Sequence, residues 1–233
     1  MFNDLEMPPP IYLGKVFKNA FKTYQEHFSS FISLGLVYAL MSSVVRISLK
    51  KFFGENLEVI FAAVIINTII LSRIGVVLLY MAAQSFLKEP VDTQKAFLKT
   101  QELYGTYLFV YSAVLLLMGI GFFFFIVPGF VLGAMFLFAD ALVVVEKKSF
   151  KDAFLRSREL TRKYFSVALL FLLVIIMISL FPVILLKFLG AAHLNTIKSF
   201  SDIFSAIFIP FYIIAQIELC YQIKQTVAIV ETE

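Results

Sequence analysis

Charge is scarce in this sequence. Asp, Glu, Lys and Arg make up 15% of its 233 residues, where a soluble domain carries about a quarter. Tryptophan is absent and cysteine occurs once, at Cys220. A single thiol excludes an internal disulfide and a cysteine-based zinc cluster. The two histidines, His27 and His193, stand far apart and form no ligand pair at metal-binding spacing. No H-E-x-x-H, G-x-S-x-G, Walker or G-x-G-x-x-G pattern is present, so no catalytic residue, metal or cofactor is expected. A cleavable signal is not expected either. The first 27 residues hold Asp4, Glu6, Pro8, Pro9, Pro10 and three lysines, without a continuous apolar core.

Apolar residues are abundant. They reach 61% of the chain, with 28 Phe and a mean hydropathy of +0.91. A helix rising about 1.5 Å per residue needs roughly 20 apolar residues to cross a hydrocarbon core of about 30 Å. Residues 28–45 contain no charge and predict a first span. Residues 59–87, interrupted only by Arg73, predict a long second one. Residues 103–139 then run 37 positions without a charge, too many for one crossing. Pro128-Gly129 divides that run into a hairpin of spans near 104–126 and 128–146. Spans at 164–186 and 203–223 complete six, the last with Glu218 as its only charge. The fold class is thus an all-α integral membrane protein, one membrane domain over 1–233.

The net charge of +4 carries no nucleic-acid signature, because the basic residues sit in short loops between apolar runs. Fourteen fall on one side of the six-span scheme, seven of them within 147–163. Five fall on the other side: Arg46, Lys50, Lys51, Lys187 and Lys198. The positive-inside rule keeps the basic side, and with it both termini, in the cytoplasm. The expected location is the cytoplasmic (inner) membrane.

Stacking the basic segments shows a threefold pattern. Ala20, Ala96 and Ala153 are each followed by Phe (Phe21, Phe97, Phe154). Six positions after each Ala comes Glu (Glu26, Glu102, Glu159), and eleven after it an aromatic (Phe31, Tyr107, Tyr164). The apolar residues recur at i, i+3, i+4 and i+7, which predicts amphipathic helices lying at the inner surface against anionic lipid. The predicted unit is one interfacial helix plus a two-span hairpin, over about 11–87, 91–146 and 148–230.

Residues 126–174 carry a Pro-Gly that opens a span, an acidic residue towards its inner end and a D-A-F-L-R-S-R-E-L-T helix leading into the next span. This stretch resembles a superfamily of bacterial membrane proteins. It includes the membrane-anchor domain of glycerophosphoryl diester phosphodiesterases and uncharacterised six-span inner-membrane proteins. No phosphodiesterase domain follows the sixth span here, so the resemblance implies the membrane module and not the activity.

Three ionisable residues fall inside predicted spans, where an unpaired charge is costly. Asp140 and Glu218 are each six residues from an inner end, about 9 Å deep, and Arg73 is predicted deeper. A network of the three suits either of two roles. One is an ion, proton or lipid-headgroup site; the other is a set of contacts that fixes helix packing or snorkels to the surface. Gly129-x-x-x-Gly133 and the Gly35/Ala39/Ser43 stripe mark close packing, inside the bundle or towards a partner. Pro128 breaks the hairpin, and Pro182 and Pro210 are expected to kink spans five and six. Cys220 is open to palmitoylation or burial. Taken together, the chain reads as a non-catalytic subunit or scaffold. Its expected partners are the bilayer with its anionic lipid, and a membrane protein or a second copy. A small transporter or a lipid-handling factor is the alternative.

Overall fold

The computed structural model describes residues 9–54, 57–188 and 194–230. His193, Asp4, Glu6 and Pro8 lie outside them. The described residues hold ten helices and no strand. In chain order these are α1 (Leu13–Glu26), α2 (Phe28–Phe53), α3 (Leu57–Phe86), α4 (Thr93–Lys99) and α5 (Tyr104–Phe124). They continue with α6 (Ile126–Met135), α7 (Ala139–Val145), α8 (Phe150–Lys163), α9 (Phe165–Phe188) and α10 (Leu194–Val230). Six stretches are long and apolar enough to cross a membrane: Phe28–Leu49, Val64–Phe86, Tyr104–Phe124, Ile126–Val145, Phe165–Phe188 and Phe200–Ala228. Each overlaps a stretch expected from the sequence. Large apolar side chains stay exposed along them, among them Leu40, Phe109, Leu116, Phe123, Met177 and Phe188. A belt this broad is far beyond the apolar patch a soluble monomer tolerates.

Short segments precede the odd-numbered spans. Ser149 caps α8: its hydroxyl accepts from Asp152 N and donates to the Asp152 carboxylate at 2.6 Å. Asp92 caps the seven-residue α4, its Oδ1 accepting from Gln94 N and Lys95 N at 2.9 and 3.1 Å. So short a helix is marginal without its cap. Asp92→Ala is expected to cost about 1 kcal/mol, read as roughly fivefold faster amide exchange over α4. Unchanged exchange there would show that packing alone holds α4. In all three segments the matched Ala20, Ala96 and Ala153 are fully buried. Phe31, Tyr107 and Tyr164 are buried as well, and Glu26, Glu102 and Glu159 face outward.

The α5–α6 hairpin turns on Phe125, in extended backbone at φ −157°, ψ 148°. Pro128 stands in the first turn of α6, where its missing N–H leaves no helical bond unmade. It therefore opens a helix and does not kink one. Gly121 and Gly129 meet backbone to backbone: a Cβ on Gly121 would lie 2.7 Å from the Gly129 Cα. Gly133 packs beneath Leu172 and Met118, so both glycines of the G-x-x-x-G face the bundle interior. Helices α9 and α10 each run as one element through Pro182 and Pro210.

The fourth candidate span departs from expectation. It is not one helix over 128–146 but two pieces, α6 and α7, separated by a turn at residues 136–138. In an unbroken helix Ala139 N would bond to the Met135 carbonyl; here it bonds to Phe136 O at 3.1 Å. The Ala141 N–H turns to Asp140 Oδ1 at 2.8 Å. Two carbonyls, Met135 O and Leu137 O, thereby lose their regular helical donors.

Candidate functional site

Lipid offers no replacement donor, so irregular backbone at membrane depth persists only where protein groups satisfy it. Three side chains do this at the α6–α7 break. Ser157 of α8 donates to Met135 O at 3.1 Å, and the one Thr161 hydroxyl proton is shared between Met135 O at 3.0 Å and Ser157 O at 2.8 Å. The Ser157 hydroxyl also accepts from Phe138 N at 3.2 Å. From the other side, Gln216 of α10 donates its Nε2 to Leu137 O at 2.5 Å and to Asp140 Oδ1 at 2.8 Å. Ser157, Thr161 and Gln216 are all at most 1% exposed. The second amide atom of Gln216, Oε1, has no hydrogen-bond partner. Tyr107, Tyr111 and Tyr212 lie close enough to Asp140 to feel its charge, and the rings of Tyr107 and Tyr111 stack at 5.9 Å.

The same kind of contact recurs at the other two entry segments. Tyr24 donates to Ile207 O of α10 at 3.2 Å, and Tyr104 donates to Ile69 O of α3 at 3.1 Å. These hydroxyls stand four residues after Ala20, eight after Ala96, and four and eight after Ala153. Each segment thus hangs a hydroxyl on a carbonyl of a neighbouring span. Burial pushes the Tyr24 hydroxyl above its ordinary value of 10.0, which keeps it a donor at neutral pH.

The structure does not bring Arg73, Asp140 and Glu218 together. Arg73 donates to Phe97 O at 3.0 Å and Thr100 O at 3.5 Å, and its guanidinium lies over the rings of Phe97 and Tyr104. It closes the carbonyl end of α4, which favours a cation. Because Tyr104 is the first residue of α5, Arg73 lies beside the start of that helix. Helix α3 continues thirteen residues further, about 20 Å, with Val76 to Leu79 and Met81 fully buried. Glu218 accepts from Asn19 of α1 at 2.7 Å and from Gln222 at 2.6 Å. Asp140 has Gln216 and the Ala141 N–H. Three charges serve three different helix pairs.

The remaining candidates fall into place by contact. Gly35 meets Ala206 and Pro210 of α10, Ala39 is half-buried, and Ser43 donates to the Asp202 carboxylate at 3.0 Å, so the α2 stripe faces α10. Cys220 is buried, away from any acylating surface. Glu146 joins Lys224 at 2.6 Å and Lys148 at 3.8 Å, tying α10 to the end of α7. Gln216, Ser157, Thr161 and Asn19 were missed by sequence reasoning. Gln216 alone left a trace, as an amide within an apolar run. Among the described residues no group of three His, Cys, Asp or Glu side chains gathers to hold a metal. No protein-family model matches the chain, and neither a curated protein nor a solved structure matches it.

Proposed function

We propose that this chain is a non-catalytic, multi-pass membrane module that holds other membrane components in place. The observation that supports it best is the use made of the polar groups within the predicted spans. Arg73 closes α4, Glu218 fastens α1, and Gln216, Ser157 and Thr161 fill the break in the fourth crossing. A transporter built on a broken helix turns its freed carbonyls towards a substrate. Here those carbonyls are bonded to the protein itself.

The bundle in this reading is three copies of one unit, an entry helix followed by two crossings. Burial of the three matched alanines and the three hydroxyl–carbonyl contacts support the repetition. The packing also closes on itself. Helix α4 packs on α3 and α8 on α7, each on the crossing before it, and α1 packs on α10. The positive-inside bias of the loops supports a cytoplasmic position for this end and both termini, with the module in the inner membrane against anionic lipid. The likeness to the phosphodiesterase membrane anchor favours the same role, a fixed platform beside a working partner.

Extraction of the tagged full chain in mild detergent, followed by native mass spectrometry, tests the proposal. A stoichiometric protein partner is the expected result. A chain that emerges alone, and that moves a solute across vesicles, would overturn it.

A further inference from the structure

Between α3 and α5 an apolar groove of about 710 Å³ opens on the belt, lined chiefly by Ile65, Thr68, Ile69, Leu108, Ser112 and Leu116. Its wall is drier than the residue types suggest, because the Thr68 hydroxyl is turned back to Val64 O at 2.8 Å. Ile69 and Leu108 lie one helical turn from Arg73 and Tyr104, and Tyr104 bonds to Ile69 O. The groove therefore ends at the Tyr104–Ile69 contact, and the Arg73 guanidinium lies over the Tyr104 ring just beyond it.

That cation is incompletely matched. No carboxylate of the described residues pairs with it. Its protein acceptors are two carbonyls, which leaves N–H donors of the guanidinium's five without a partner. The carbonyl end of a helix offsets at most about half a unit charge. Arg73 is half-exposed, and its guanidinium lies over Tyr104, the first residue of α5. A dry groove with an unneutralised guanidinium one helical turn beyond its end has the shape and charge of a phospholipid's counterpart.

We propose that one anionic phospholipid docks here, an acyl chain in the α3–α5 groove and its phosphate on Arg73. Arginine suits this task because its planar fork matches two phosphate oxygens. The site deepens the functional reading by naming one of the components held, and it rests on the six helices crossing a bilayer.

Native mass spectrometry on the full chain, offered equal amounts of phosphatidylglycerol and phosphatidylcholine of the same chain length, tests the site. The wild type is expected to retain one phosphatidylglycerol, with at least about tenfold preference. Ser112→Trp fills the groove without touching Arg73 and should abolish retention of either lipid. Arg73→Gln should erase the preference. Should that variant fail to fold, headgroup preference in the wild type and the Ser112→Trp result decide the matter alone. Equal retention of the two lipids by the wild type, or undiminished retention by Ser112→Trp, would overturn the site. Release of the native chain from membranes by alkaline carbonate would instead sink the bilayer reading itself.

Discussion

Gln216→Leu is expected to lower the unfolding free energy by roughly 3 kcal/mol, within the range for losing a buried donor that serves two acceptors. Leucine nearly matches glutamine in volume, so the packing of α10 changes little and the loss is one of hydrogen bonding. The Leu137 carbonyl loses the donor that replaced its regular helical one, and the Asp140 carboxylate loses its only side-chain donor. An exchange of side-chain pairs in a membrane protein costs far less, about 0.6 kcal/mol on average, because the partners find substitutes. The Leu137 carbonyl has none at hand, since Ala141 N is already turned to Asp140. Gln216→Glu should be worse at neutral pH, because an acceptor then faces a carbonyl and a second carboxylate. Denaturant titration in mixed micelles reads the loss. A double-mutant cycle with Asp140→Asn separates the carboxylate contact from the carbonyl contact. A Gln216→Leu protein as stable as the wild type would show that the α6–α7 break does not depend on α10.

The break itself could not be read from hydropathy. Phe136, Leu137 and Phe138 are as apolar as the residues around them, and an apolar run reports burial in lipid without reporting whether its backbone stays helical. The partners that permit the break come from α8 and α10, 19 to 79 residues away in sequence. The six helices long and apolar enough to cross were legible because each needs only length and dryness. The dividing point at Pro128-Gly129 was legible too, because proline in a first turn starts a helix. Arg73 shows a second limit. Its distance along α3 did not show that α3 runs on past the start of α5, which sets Arg73 beside Tyr104 and α4. Spacing along one helix also says nothing about which neighbour a side chain faces. Arg73, Asp140 and Glu218 accordingly point to α4, α10 and α1. The Ala-Phe pattern was the most informative signal, since alanine marks the point where each entry segment is pressed flat against the bundle.

The closest approach in the bundle predicts the sharpest glycine effect. Pro210 has no N–H, so the Ala206 carbonyl, four residues earlier, has no helical donor and stands clear of the α10 ladder. Gly35 of α2 sits directly against that carbonyl. A Cβ at Gly35 would overlap the Ala206 oxygen outright and lie 3.2 Å from Pro210 Cγ. A Cα–H contact onto the exposed oxygen offers it a weak partner, as small residues do where membrane helices cross closely. Neither side of this contact can rotate away, because both are backbone or ring. Gly35→Ala must therefore push α2 from α10, and with it the Ser43–Asp202 bond two turns further along. The expected loss is about 3 kcal/mol, the upper end for overpacking. Gly129→Ala should cost less, since the obstructing Phe122 side chain can swing about its Cα–Cβ bond; turning the ring alone would leave its Cγ 2.6 Å from the new Cβ. Gly119→Ala provides the control: nothing lies within 4 Å of its Cβ, and alanine in a helix interior gains about 0.5–1 kcal/mol. Thermal unfolding of the three variants in one detergent orders them. If Gly35→Ala unfolds with Gly119→Ala instead of far below it, α2 is not seated on the carbonyl that Pro210 exposes.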